Sequence, residues 1–372
     1  MTRTRDQDAC PSALQVHQAA DGALVRVRLP GGMISAAQLG ALATVATEVG
    51  SGALELTSRG SVQLRGVTDP AVVADAVAAA GLLPSASHER ARNIVASPLS
   101  GRVGGLADVR PWVGALDTAI QRAPTLAELP GRFWFGLDDG RGDVSGLRAD
   151  AGLEALPGGD VALLLAGVDT GVRLAPDTAI TALVTIAERF AEIRGNRWRV
   201  TELDDIEPLL AGFARTAPAG RVAPATAVAP VGWLTQTDER ITLGAAVPLG
   251  VLPARTAEFL AAIEAPMVIT PWRSVLVCDL EEGVADLSLR VLAPQGLVFD
   301  QDSPWLSVSA CVGSPGCSRS LADVRGDAIK TVETGVPAGR RHYVGCERAC
   351  GSPVDGEVLV ATPDGYRPRN RP

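Results

Sequence analysis

The feature that most limits how this 372-residue chain can fold is a pattern that occurs twice. In the first copy, residues 24–29 (LVRVRL) alternate apolar and basic side chains, the period of a half-covered strand. Pro30-Gly31-Gly32 breaks it, and Ser35-Ala36-Ala37-Gln38 has the capping-box form that opens a helix. Leu39, Leu42, Val45, Ala46 and Val49 continue at helical spacing to a stop at Gly50, and 53–56 (ALEL) and 61–66 (SVQLRG) read as two more strands. The second copy repeats the order: a strand at 241–247, a break at Pro248-Leu249-Gly250, a helix over roughly 254–264, and strands at 267–270 (MVIT) and 274–280 (SVLVCDL). Thr57-Ser58-Arg59-Gly60-Ser61-Val62 lies against Thr270-Pro271-Trp272-Arg273-Ser274-Val275. A duplicated β-α-β-β unit predicts an α+β chain with two ferredoxin-like halves, at 16–85 and 233–295.

Around the copies lie a tail at 1–15, a mixed α/β segment at 86–215, a Pro/Ala-rich linker at 216–232 and a final segment at 296–372. The middle segment shows strands near 133–137 and 161–166 and a helix near 178–194, and the stretch beyond Pro363 reads as loose. The net charge of −8 argues against nucleic acid or an anionic membrane surface as partner. With no apolar run of 18 residues and no apolar stretch behind the charged start, the expectation is a cytoplasmic protein without a membrane span.

Four of the six cysteines crowd into the final segment as Cys311-x5-Cys317 and Cys346-x3-Cys350, while Cys10 and Cys278 stand apart. Six cysteines in a long chain of this kind are not a disulfide scaffold. Thiolates suit iron–sulfur clusters and zinc, and four complete a [4Fe–4S] cube with one per iron. Zinc knuckles usually space paired ligands by two to four residues, tighter than the first gap here. Val312-Gly313-Ser314-Pro315-Gly316, Gly345 and Gly351-Ser352-Pro353 form turn-rich surroundings able to present N–H groups to cluster sulfurs. His17, His88 and His342 form no ligand pair, and His342, four residues before Cys346, reads as structural. No G-x-G-x-x-G follows a strand, so no nicotinamide-binding domain is expected.

C-x5-C followed by C-x3-C resembles the cluster motif of the siroheme sulfite and nitrite reductases, where the last cysteine bridges to the tetrapyrrole iron; Cys350 would hold that place. Thr57-Ser58-Arg59-Gly60-Ser61-Val62-Gln63 resembles the T-x-R-x-x-x-Q motif of that superfamily. Arg92-Asn93-Ile94 resembles its R-N-V segment, and Leu129-Pro130-Gly131-Arg132-Phe133-Trp134 its L-P-x-K-F-K segment. The resemblance implies two α/β nitrite/sulfite reductase 4Fe-4S domains beside the ferredoxin-like halves. A polycarboxylate ring calls for several arginines, because a guanidinium meets a carboxylate with two parallel bonds. Arg59, Gln63 and Arg65 would share one strand face, with Val62 and Leu64 on the other. Together with Arg92, Asn93, Arg132 and Trp134 they make the expected tetrapyrrole-binding set.

Within the superfamily the chain looks like the precorrin-3B synthases. Trp134 stands where the reductases carry a second anion-binding lysine, and an indole stacks on a planar ligand instead. The compact length and the segments 198–205 (WRVTELDD), 270–280 (TPWRSVLVCDL) and 345–353 (GCERACGSP) resemble that subgroup too. The implied reaction is an O2- and NADH-dependent monooxygenation of precorrin-3A at C20 with γ-lactone formation, in aerobic cobalamin biosynthesis. The implied cofactors are a [4Fe–4S] cluster and a mononuclear non-haem iron, with a monomeric chain and a separate electron donor. No catalytic residue is assigned. A siroheme-dependent sulfite or nitrite reductase is the alternative, and a non-enzymatic tetrapyrrole-binding iron–sulfur protein the second.

Overall fold

A computed structural model describes residues 8, 10–224, 228–335, 338–353 and 355–369. The first copy of the repeat comprises β1 (His17–Ala19), β2 (Gly22–Val27), β3 (Met33–Ile34), α1 (Ala36–Val49), β4 (Ala53–Leu56), β5 (Val62–Val67) and α2 (Pro70–Ala79). The capping box is formed: Ser35 Oγ accepts from the Gln38 N–H at 3.2 Å, and Gln38 Oε1 accepts from the Ser35 N–H at 3.0 Å. Leu39, Leu42, Ala43, Val45 and Ala46 make the buried stripe of α1.

The intervening segment builds its own sheet from β6 (Ile94–Ala96), β7 (Phe135–Asp138), β8 (Ala151–Ala155), β9 (Val161–Leu165) and β10 (Val168–Leu174), in the order β10-β9-β8-β7-β6. β6, β7 and β8 run parallel and the rest antiparallel. Helices α3 (Arg110–Arg122) and α4 (Pro176–Ile193) cover it. Every third or fourth side chain of α4 (Ala179, Leu183, Ile186, Phe190) enters a core where Phe133 meets Phe135 edge-on at 5.2 Å and Phe190 at 4.9 Å. The start of the expected linker is an extended edge on β10. Gly171, at φ 81°, offers its carbonyl to the N–H groups of Thr216 and Ala217, and the Asp169 carbonyl accepts from Gly220. Arg221 pairs with Glu154 and Asp169. Composition hid this because the bonds are main-chain bonds; residues 225–227 of the linker lie outside the described set.

The second copy repeats the first element by element: β11 (Gly232–Thr235), β12 (Ile241–Ala246), β13 (Val251–Pro253), α5 (Ala254–Ala261), β14 (Met267–Ile269), β15 (Ser274–Leu280) and α6 (Glu282–Leu292). The sheet orders are β1-β2-β5-β4-β13 and β11-β12-β15-β14-β3, so each copy lends its short third strand to the other's sheet. Backbone detail repeats as well. A bulge interrupts β2–β5 between Ala23 and Val25 and β12–β15 between Ile241 and Leu243. Left-handed residues fall at matching positions, Gly60 with Arg273 and Gly66 with Asp279.

The C-terminal segment is a four-stranded sheet, β16 (Val308–Ala310), β17 (Arg341–Val344), β18 (Glu357–Thr362) and β19 (Gly365–Pro368), with α7 (Val324–Thr334) between β16 and β17. The first three strands are parallel. The stretch after Pro363 is strand rather than loose tail: Tyr366 stacks edge-on to Tyr343 at 5.1 Å and donates to Asp327 at 2.7 Å.

Two compact units result. One contains 16–27, 34–80 and the described residues from 228 onward; the other contains 28–33, 81–224 and the described residues before Val16. Apart from residues 28–33, both copies fall in one unit with the cysteine segment. The exchanged strands and the bonds from β5 and β4 to the cysteine segment join them. No described helix is long and apolar enough to cross a membrane.

Candidate functional site

Cys311 follows β16 directly, and Cys346 comes two residues after β17. Both cysteine loops therefore leave the carboxyl ends of adjacent parallel strands, where open α/β sheets place their ligands. The Cys311 N–H donates to Tyr343 O at 2.9 Å, and the Gly345 N–H lies 3.4 Å from Cys311 Sγ, a donor to the sulfur itself. Gly345 has no room for a side chain, since a Cβ would sit 1.7 Å from Ser320 Oγ. Gly313, at φ 70°, would bring a Cβ within 2.7 Å of Val324. Cys317 is held by its N–H on Gly313 O at 2.8 Å.

Cys311, Cys317 and Cys346 are half-buried and Cys350 is exposed. Even so, desolvation around the Cys350 thiol, and then the neighbouring Cys311 and Cys346 with a contribution from Cys317, push its pKa up. The four thiols thus share one locality. Among the described residues no three of these sulfurs lie within 4.8 Å of one another. A tetrahedral zinc with bonds of about 2.3 Å would draw them closer. Four thiols in one locality are a donor set of the kind that suits a [4Fe–4S] cluster, with an N–H already aimed at one sulfur.

Beneath Cys350 lies His342, fully buried, its Nε2 donating to Cys350 O at 2.9 Å and its Nδ1 accepting from Ser309 Oγ at 2.8 Å. Burial, and then the Arg273 cation, lower its pKa to about 4, so the ring is neutral and both nitrogens are used. It is a structural histidine, as expected. His88 is likewise engaged, by Ala123 O at 3.0 Å and Ser87 Oγ at 2.9 Å. Asp138, Asp139 and Asp143 bring carboxylate oxygens within 4.8 Å of one another. Four backbone N–H groups occupy Asp138, Arg141 pairs with Asp139, and Ser97 donates to Asp143. These bonds tie a loop, and no iron site is assigned to them.

The residues expected to face a tetrapyrrole divide by unit. In the cysteine-bearing unit, Arg59 is half-buried in the β4–β5 hairpin turn rather than on the strand. Gln63 Oε1 accepts from Arg26 at 3.0 and 2.5 Å. Arg65 is buried against Asp21, with two bonds of 2.9 Å, and reaches Gly316 O at 2.8 Å. In the other unit, Arg92 is buried in a bidentate pair with Asp117 (2.6 and 3.0 Å) and also meets Leu82 O. Asn93 donates to the carbonyls of Arg90, Gly131 and Phe133 and accepts from Arg28 Nε at 2.8 Å. Trp134 is 5% exposed among Val95, Val144 and Ala149. It packs against these side chains within its own unit. Arg132 is exposed and lies 4.9 Å from the centre of the Trp198 ring.

The nitrite/sulfite reductase ferredoxin-like half-domain family matches residues 17–78. A precorrin-3B synthase from a Sinorhizobium species is 29% identical over 379 residues, 96% of this chain and 81% of that one. A chloroplastic ferredoxin–nitrite reductase from Zea mays is 26% identical, over 88% of this chain and 67% of that one. The ferredoxin–nitrite reductase of Synechococcus elongatus is 24% identical, over 90% and 75%. The solved structure of the Mycobacterium tuberculosis NirA protein superimposes with a TM-score of 0.77 at 18% identity, covering 93% of this chain and 73% of that one, which establishes the fold. The chain is thus similar, over most of its length, to proteins of the nitrite/sulfite reductase kind.

Its relatives of both kinds are oxidoreductases, which supports an enzyme. The family match covers β1 through nearly all of α2, the first copy of the duplication read from the sequence. The structure adds residues that sequence reasoning missed. Arg273 Nη2 donates to Gly351 O at 3.1 Å, beside Cys350. Arg325 pairs with Glu55 at 2.5 Å, and its buried Nε has no partner. For Arg273 a signal existed: it stands opposite Gly60 in the repeat, an arginine where a glycine suffices.

Proposed function

We propose that this protein is a precorrin-3B synthase. It would hydroxylate precorrin-3A at C20 and close the γ-lactone, using O2 and electrons that originate in NADH. The observation that carries the reading is the cysteine quartet at the ends of β16 and β17, in a chain whose resemblance to a precorrin-3B synthase covers 96% of this chain and 81% of that one. Cys311, Cys317, Cys346 and Cys350 would hold the [4Fe–4S] cluster, which supplies single electrons when bound. Around it the chain's own groups act without gaining or losing protons. The Gly345 N–H steadies the Cys311 sulfur, and neutral His342 holds the Cys350 carbonyl. Arg59, in the turn between β4 and β5 of the same unit as the cysteines, is the proposed carboxylate contact.

A second reading, a siroheme-dependent nitrite or sulfite reductase, draws on the nitrite reductases among the relatives. One preparation separates the two. Protein purified without air is scanned for absorbance, and its iron and acid-labile sulfide are counted. About four sulfides per chain, no siroheme bands and O2-dependent turnover of precorrin-3A support the oxygenase. Siroheme bands with nitrite or sulfite turnover support the reductase, and zinc without sulfide refutes both.

A further inference from the structure

Arg273 sits at φ 58°, a backbone region that side chains with a Cβ avoid. Gly60 occupies the equivalent turn of the first copy at φ 63°. The turns are built alike: Thr57 N–H to Ser61 O at 2.9 Å in one, Thr270 N–H to Ser274 O at 2.9 Å in the other. The conformation is therefore inherited from the repeat, and glycine meets it without strain. The second copy places Leu249, Arg273 and Asp279 where the first has a glycine at positive φ, so what singles out Arg273 is where its side chain ends. That side chain passes so close to Gly250 that a Cβ there would lie 2.6 Å from Arg273 Cδ. It ends on Gly351 O, one residue past Cys350. Its charge is felt at His342.

The other cysteine loop has a counterpart. Arg65, anchored by both oxygens of Asp21, donates Nη2 to Gly316 O, one residue before Cys317. Gly316 admits this approach because it lacks a side chain; a Cβ would lie 2.9 Å from Val312 and 3.0 Å from Asp21. In the repeat, Arg65 stands opposite Cys278, a buried residue of β15. Neither arginine is thus a by-product of duplication.

We propose that Arg65 and Arg273 are positioning residues of the cluster centre, one for each cysteine loop. Each fixes the carbonyl beside a ligating cysteine and sets a permanent cation next to a centre that gains negative charge on reduction. A nearby cation favours the reduced state, so the pair raises the cluster's potential as well as ordering its loops. The proposal rests on the reading of the four cysteines as cluster ligands.

The test uses full-length protein purified without air, with Arg273→Gly, Arg273→Lys, Arg65→Met and Arg65→Lys beside the wild type. Arg273→Gly is the informative variant, because Gly60 shows that the turn accepts glycine. It should retain sulfide under anaerobic handling, show a midpoint potential shifted to more negative values, and lose sulfide several-fold faster in air. Arg273→Lys should recover part of the potential shift, and Arg65→Lys should shift less than Arg65→Met. Wild-type potential and cluster lifetime in Arg273→Gly overturn the proposal, whether or not Arg65→Met accumulates. A lowered melting temperature with unchanged potential also overturns it, since that is a purely structural role. Wild-type protein free of acid-labile sulfide refutes the cluster reading itself, and the proposal with it.

Discussion

A guanidinium withdrawn from water must have its N–H groups met, and once they are met by the protein they are no longer offered to a ligand. Arg92 illustrates this, its bidentate partner Asp117 and Leu82 O using what a carboxylate ligand would have needed. Replacing Arg92 by alanine leaves Asp117 without its cation and should cost about 3–5 kcal/mol of stability, read as a lower urea midpoint. Arg59 is half-buried in the β4–β5 hairpin turn. Arg59→Ala should weaken tetrapyrrole binding, by about 2–5 kcal/mol where the charge pair is desolvated, with little change in urea midpoint; unaltered affinity in a binding titration would remove it from the pocket. At the cysteines, alanine at Cys311, Cys317 or Cys346 should abolish acid-labile sulfide, and full retention in any of them would contradict its assignment as a ligand.

At the level of elements, loops here are set by side chains that spend themselves on backbone. The turn after β7 is an example: Asp138 receives four main-chain N–H groups, and Asp143 closes over it. Burial, then the Asp138 charge, raises the Asp143 pKa from 3.8 to about 7. A carboxyl whose folded pKa is raised binds its proton more tightly when folded. Its stabilising contribution is complete below the unfolded value near 3.8 and is lost as pH rises through about 7. Asp143→Asn should therefore melt higher than wild type at pH 8, with the gain shrinking toward pH 4, and an equal gain at both would show that titration is not its cause. The exchange of short third strands is a second element-scale feature. Leu252 of β13 is fully buried. Truncation to alanine should cost about 2–5 kcal/mol, read by denaturant unfolding.

For the molecule as a whole, a cluster held only by the folded cysteine-bearing unit would stabilise that unit by mass action. Stripping it with a chelator and oxidant should speed hydrogen exchange around 311–321 and 343–353, while β6–β10 keep their protection; uniform exchange across the chain would argue against a local role. The duplication, the α+β class, the helix that begins after Ser35 and the cysteine quartet were all legible in the sequence, because period, capping and ligand spacing are local properties. The exchange of β3 and β13 was not, since two or three residues carry no period and main-chain pairing leaves no side-chain mark. Nor was the fate of Gln63, Arg65, Asn93 and Trp134. A motif tells which residue types stand at which spacing, but whether an arginine faces a ligand or an aspartate forty-four positions away depends on which strands lie side by side. The sequence by itself determined the repeat and the spacing of the cysteines; the tertiary structure alone decided which side chains meet Arg65 and Arg92 and set Arg273 in a glycine's place beside the cysteines, because burial and partner choice are settled by contacts distant in the chain.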